Sequence, residues 1–260
     1  MSRYVRMFER LSGEGAFGAF LMLGDPDFET SAALLNIVVD GGADMVEVGI
    51  PFSDPIADGP VIQAAATRAL KAGVRTHDCF RLIAQFRARH PEVPVGILTY
   101  ANLLMARGRS AFLQDAAKAG ADSLLVADLP SIEAGPWTEE MIANGIEPVL
   151  IAASNSPPQT LDRVAALSRA YVYCVTRAGV TGTHSEAHFD AGLIARLEGG
   201  PPPIFGFGIS TPDHVRAALE AGAAGVICGS AIVDCAARGG DVRALVASLK
   251  SATRNDSAPD

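Results

Sequence analysis

Asp40-Gly-Gly-Ala-Asp-Met-Val-Glu-Val-Gly49 reads as the end of a helix, a turn and the start of a strand. Glycine just past a helix end takes the left-handed cap, and the apolar β-branched run that follows belongs in a sheet. The theme returns as Ala119-Gly-Ala-Asp-Ser-Leu-Leu-Val-Ala-Asp128 and as Ala221-Gly-Ala-Ala-Gly-Val-Ile-Cys-Gly229, with a looser copy at Asn144-Gly-Ile-Glu-Pro-Val-Leu-Ile-Ala152. Continuous apolar strands separated by helices signal parallel βα units. Outward from these copies, eight apolar runs centre on Ala19–Leu23, Met45–Ile50, Val95–Leu98, Leu124–Ala127, Val149–Ala152, Val172–Val175, Ile204–Phe207 and Val226–Cys228. Helical patterns fill the gaps, at Glu29–Asp40, His77–His90, Ser110–Ala119, Thr138–Asn144, Gln159–Ser168, Pro212–Ala221 and Asp241–Lys250. The spacing therefore predicts an α/β chain folded as a single-domain (β/α)8 barrel of the TIM type over residues 1–250. An open, doubly wound sheet is the alternative. Arg3–Leu11 predicts an extra helix before the first strand, capping the barrel bottom, and residues 251–260 read as a polar, frayed tail.

Composition narrows the function. The 260 residues are 49% hydrophobic and 19% charged, as in a globular chain with a large core. A net charge of −8 argues against a nucleic-acid surface. It leaves room for an anionic ligand, because backbone N–H groups can hold a phosphate. Cys79, Cys174, Cys228 and Cys235 form no CxxC pair and read as reduced thiols in a cytoplasmic protein. The N-terminus lacks a signal-peptide apolar region, and no apolar run is long enough to span a membrane.

The chemistry concentrates in Val46-Glu-Val-Gly-Ile-Pro-Phe-Ser-Asp-Pro-Ile-Ala-Asp-Gly-Pro60. Glu47 sits inside an apolar strand, where a charge is costly without a partner or a task. Burial raises a carboxyl pKa and suits it to act as both acid and base; pairing with a buried cation is the structural alternative. Asp58 ends a loop stiffened by Pro51, Pro55 and Pro60. There it can accept a hydrogen bond from a substrate N–H, or merely cap the helix over Val61–Lys71. Tyr171 and Tyr173 lie two apart and so share a face of strand six; a packed core or a hydroxyl in the pocket explains either. Three glycine-rich segments follow strands six, seven and eight: Arg177–Thr183, Gly206–Ser210 and Gly229–Val233, the last opening a short helix. Late loops of this kind form the recurrent phosphate site of the barrel fold, which makes Gly182, Gly206, Gly208, Gly229 and Ser230 the predicted phosphate-binding set.

These motifs resemble those of the tryptophan synthase α-subunit family. The resemblance runs through Arg3-Tyr4 with Phe8, Leu23-Gly-Asp-Pro26, Glu47–Pro60, Pro60-Val-Ile-Gln63, Tyr100-Ala-Asn-Leu103, Leu125–Pro130, Arg177–Gly182, Gly206–Ser210 and Gly229–Val233, in family order. It implies retro-aldol cleavage of indole-3-glycerol phosphate to indole and glyceraldehyde 3-phosphate. Glu47 matches the general acid–base, Asp58 the carboxylate that holds the indole N–H, and Tyr173 the active-site tyrosine. Phe20, Ile62, Leu98, Leu125, Ala127, Ile151, Phe207 and Ile227 match positions lining the indole pocket. Thr181 matches the residue that links loop closure to Asp58. The resemblance implies no metal or cofactor in this chain, and a pyridoxal-phosphate β-subunit as partner in an α2β2 heterotetramer. Asp54 and Pro130 match interface positions, and the loops 51–60 and 178–186 match segments that close over substrate. The chain departs from the family pattern at Met22, where a small hydroxyl or an alanine-flanked residue is usual, at Thr99, at Ala152-Ala-Ser-Asn155 after strand five, and in a short Arg196–Pro203. These bear on substrate fit and rate, not on reaction type. A free-standing indole lyase and a catalytically decayed activating subunit are the competing functions.

Overall fold

A computed structural model describes residues 1–175 and 189–254. Nine strands are named along the chain: β1 (Ala16–Met22), β2 (Met45–Gly49), β3 (Val95–Thr99), β4 (Ser123–Val126), β5 (Glu147–Pro148), β6 (Leu150–Ala153), β7 (Val172–Val175), β8 (Pro203–Phe205) and β9 (Gly225–Cys228). They run parallel in the order β5-β4-β3-β2-β1-β9-β8-β7-β6. The two ends of that order, β5 and β6, are consecutive pieces of one stave. Val149 N–H still bonds Leu124 O at 3.0 Å on the β4 side, whereas Leu150 already pairs with Val172 on β7. The sheet therefore closes on itself, and the open-sheet alternative falls away. Pro148 lacks an amide donor, which accounts for the break in the fifth stave.

Around the barrel lie α1 (Arg3–Leu11), α2 (Phe28–Asp40), α3 (Pro60–Lys71), α4 (Thr76–Arg89), α5 (Ala101–Arg107), α6 (Arg109–Ala119), α7 (Ala134–Ala143), α8 (Pro158–Leu167), α9 (Ala191–Arg196), α10 (Pro212–Glu220), α11 (Ser230–Ala237) and α12 (Val242–Ser251). The repeated turn has the predicted backbone: Gly42, Gly120, Gly145 and Gly222 all take positive φ, between 77° and 103°. A side chain is strained there, which explains why all four copies of the theme carry glycine.

Alternation along each strand divides the core in two. On β1, Phe17, Ala19 and Leu21 face the helices, while Ala16, Phe20 and Met22 face the barrel interior. α1 closes the bottom of that interior. Tyr4 is buried, its hydroxyl 2.8 Å from Ser123 Oγ at the start of β4, and Arg3 pairs with Asp122 at 2.7 Å. At the other terminus the packed chain continues past Lys250, since Ala252 and Thr253 are buried and Thr253 O accepts Gly15 N–H at 3.1 Å. Among the described residues, no helix is long and apolar enough to cross a membrane.

Candidate active site

Glu47 is the third residue of β2 and points inward, between Phe20 on β1 and Gly96 on β3. It is only 2% exposed. Tyr171 donates its hydroxyl to Glu47 Oε1 at 3.0 Å, and among the described residues the buried Oε2 has no hydrogen-bond partner. Among the described residues, no cation pairs with Glu47 as a structural role would require. Burial pushes the Glu47 carboxyl up to about 8, and the Tyr171 hydrogen bond only partly offsets this. The group is therefore held protonated near neutrality, with one oxygen fixed and the other free to act.

Asp58 belongs to the loop between β2 and α3. It is not the helix cap: Gly59 takes that position, with no side-chain capping bond, and Pro60 opens the helix. Gln63 instead donates to Asp58 O at 2.7 Å, and Ala57 N–H bonds the Tyr100 hydroxyl at 3.2 Å. The Tyr100 ring also packs against Phe52, centroids 5.4 Å apart. Partial burial raises the Asp58 carboxyl to about 6, opposed by the Tyr100 hydroxyl beside it. The two carboxyls are thus split, one largely protonated at pH 7 and one largely ionised, the pattern that assigns acid and base roles.

The tyrosines form a column inside the barrel. Tyr4 and Tyr171 have ring centroids 5.5 Å apart, Tyr171 and Tyr173 6.5 Å, and Tyr173 and Phe207 5.6 Å. Tyr171 is the one that touches Glu47. Tyr173 donates to Gly206 O at 3.1 Å, and burial, with Glu47 and Asp58 nearby, raises the pKa of its hydroxyl and keeps it protonated. Two partners were thus not singled out from sequence: Tyr171 for Glu47 and Tyr100 for the Asp58 loop. The two-residue spacing put Tyr171 on the correct face but could not say which ring reaches the carboxylate.

All eight predicted pocket residues belong to the interior cluster. Phe20, Ile62, Leu125 and Ile227 are buried in it, and Leu98, Ala127, Ile151 and Phe207 pack on it half-buried, so the apolar lining opens toward solvent at their level. Of the predicted phosphate set, Gly208 and Gly206 follow β8, and Gly229 and Ser230 follow β9 at the start of α11. Gly229 is the cap of α11 and has no side chain to bond its first-turn N–H groups, which leaves those donors for a ligand. Gly208 has φ 81° and needs glycine for its backbone alone. A side chain at Gly206 would overlap the Tyr173 ring, so its glycine is also explained by packing. Thr181 and Gly182 lie outside the described residues, as do the loop 178–186 and the Arg177–Gly182 motif. Among the described residues, no group of three or more His, Cys, Asp or Glu side chains converges as a metal site would.

Known proteins are similar to this chain in sequence and in barrel. A family model described as tryptophan synthase alpha chain matches residues 8–256. The tryptophan synthase alpha chain of Shewanella amazonensis is 48% identical over 257 residues, covering 96% of this chain and 97% of its own. That of Klebsiella pneumoniae is 44% identical over 268 residues, covering 98% and 99%. Among solved structures, a chain of Mycobacterium tuberculosis tryptophan synthase superposes with a TM-score of 0.89 at 31% identity, covering 98% of this chain and 99% of that one. The tryptophan synthase alpha chain of Legionella pneumophila gives 0.88 at 27% identity over 100% of both chains. With nearly half of its residues shared over nearly its whole length, and with a closed barrel of the same shape, the chain belongs to the tryptophan synthase alpha chain family.

Proposed function

We propose that this chain is the lyase subunit that cleaves indole-3-glycerol phosphate to indole and glyceraldehyde 3-phosphate. Glu47 carries the reading: a buried carboxyl, one oxygen held by Tyr171, the other without a partner among the described residues, in an apolar barrel beneath a half-exposed rim. In the retro-aldol step Glu47 protonates the indole carbon that bears the side chain and takes the proton of the glycerol hydroxyl as the carbon–carbon bond breaks. Its elevated pKa supplies the acid at neutral pH. Ionised Asp58 accepts the indole N–H and stabilises the positive charge that develops on the ring nitrogen. Tyr173 packs beside Phe207 at the aromatic wall. The first-turn N–H groups of α11, with Gly229 and Ser230, and the backbone at Gly206 and Gly208 receive the phosphate, together with Gly182; Thr181 couples loop closure to Asp58.

The chemistry is carbon–carbon cleavage driven by proton transfers and calls on no cofactor or metal in this chain. The partner in this reading is a pyridoxal-phosphate β-subunit, in an α2β2 complex, in the cytoplasm. Its docking is supported by three strongly exposed apolar side chains on the rim where strands end: Ile56 after β2, Met105 on α5 after β3 and Ile132 after β4. Asp54 and Pro130 lie on the same two loops as Ile56 and Ile132.

The test is indole release by the purified chain, with and without the β-subunit. Slow release that the β-subunit strongly accelerates is expected. Fast release by the chain alone would make it a free-standing lyase, and no release in either condition would remove the reading.

A further inference from the structure

Met22 is the last inward-facing residue of β1, one step along the strand from Phe20 and paired in register with Gly49 on β2. It is 4% exposed and belongs to the same interior cluster as Phe20 and Leu125. Gly49 explains how it reaches the cavity. A Cβ built there would lie 2.8 Å from Phe20 Cζ, 2.9 Å from Met22 Cε and 3.1 Å from Met22 Sδ. The phenyl ring and the thioether thus converge on the space that Gly49 leaves empty, and a side chain at Gly49 would drive both into the interior. Gly49 is also the next inward residue on β2 after Glu47, on the side of the strand ends. Phe20 lies level with the reacting carboxyl, and Met22 stands one inward position nearer the barrel mouth.

We propose that Met22 determines which aromatic ring this barrel accepts: its thioether, seated against Phe20 over Gly49, fills the volume that a ring bearing an extra substituent would need. The proposal rests on the reading of the chain as an indole-releasing lyase and adds its selectivity. Methionine suits the place because an unbranched, polarizable side chain packs against rings of more than one orientation while still excluding bulk. Neither Glu47 nor Asp58 is bonded to Met22, so trimming it changes the shape of the wall and leaves the proton chemistry in place.

The experiment compares kcat/KM for indole-3-glycerol phosphate and for analogues methylated in turn at each free carbon of the benzene ring. The unaltered chain, Met22→Ala and Met22→Leu are each assayed with the pyridoxal-phosphate β-subunit bound. Met22→Ala is expected to raise the methylated-to-parent ratio by about tenfold or more for at least one analogue, the scale of a methyl group fitted or refused by an apolar pocket. Met22→Leu, of similar volume, is expected to keep the native ratios. Met22→Val, which empties less space and suits a strand, carries the same prediction as alanine if the alanine variant does not fold. Ratios for the smaller variants that track those of the unaltered chain overturn the proposal while leaving the lyase reading intact. Failure of the unaltered complex to cleave the parent compound overturns the lyase reading itself, and the selectivity proposal with it.

Discussion

In the proposed mechanism Glu47 concentrates the chemistry in one side chain, and its environment makes two consequences measurable. Glu47→Gln keeps the shape and removes the proton, so it is expected to fold and to lose about 10²–10⁴-fold or more in turnover. Retained turnover in single-turnover assays would take Glu47 out of the mechanism. The second consequence is pH dependence. The Asp58 carboxyl sits at about 6 and Glu47 at about 8, so kcat/KM should rise as Asp58 ionises and fall as Glu47 loses its proton. A profile flat from pH 5 to 9 would contradict both assignments. Stability also depends on the Glu47 proton. The folded pKa of Glu47 is raised above the ordinary value of 4.5, so the folded state holds a proton that the unfolded state has released. Stability from this group is complete below about 4.5 and declines as pH rises to about 8. Glu47→Gln should flatten that decline in denaturant titrations at pH 5 and pH 9. The unusual position of Glu47 was legible in sequence, because a lone carboxylate in an apolar strand has few explanations. Its partner was not, since alternation assigns Tyr171 and Tyr173 to one face without ranking their heights in the barrel.

At the scale of elements, the four glycine-capped helix-to-strand turns made the βα pattern legible, and the strand positions followed to within a few residues. α5 and α9 were not read as helices. Both are short, seven and six residues, and too brief to show a 3.6-residue period. The glycines after β8 have causes that the phosphate reading did not include. Gly208 serves its own backbone and Gly206 makes room for Tyr173, so substituting either one disturbs the fold along with any ligand. Gly229 separates the two effects. Its φ is −113°, and an added Cβ would meet Phe20 at an ordinary 3.5 Å. Gly229→Ala should therefore leave the thermal midpoint nearly unchanged. A methyl group at the mouth of α11 should nevertheless crowd a phosphate drawn to its first-turn N–H groups, and raise KM for substrate. A fall in stability with unchanged KM would mean that the α11 terminus holds no phosphate.

The whole molecule is polarised along the barrel axis, and this division of labour is itself testable. Sequence pattern alone allowed an open sheet as well as a barrel, because closure depends on how one stave changes partners at Pro148 and Val149 and not on any local propensity. Once closed, the barrel has a rim bearing Asp58, Gly208 and Gly229, and a bottom sealed by α1 and by ion pairs. Asp122 is the hub of that bottom. Its carboxylate accepts from Arg3 at 2.7 Å, from Arg87 at 2.6 Å and from the Val95 N–H at 2.8 Å, tying α1 and α4 to the first residues of β3 and β4. Asp122→Ala removes the carboxylate from the mostly buried Arg87, which is 13% exposed and keeps only its bonds to the carbonyls of Gly120, His90, Pro91 and Val93, and leaves the Val95 N–H without that acceptor. The expected cost is about 3 kcal/mol, at the low end for breaking a buried pair because Arg3 remains partly solvated. Conservation of the barrel interior above it predicts that kcat per folded molecule, measured with the β-subunit well below the new midpoint, stays within about twofold of the unaltered chain, as expected where bottom-face residues serve stability and the strand ends serve catalysis. A large loss of kcat without loss of stability would mean that the bottom ion pairs reach the reacting groups, the route being Tyr4 and Tyr171 to Glu47.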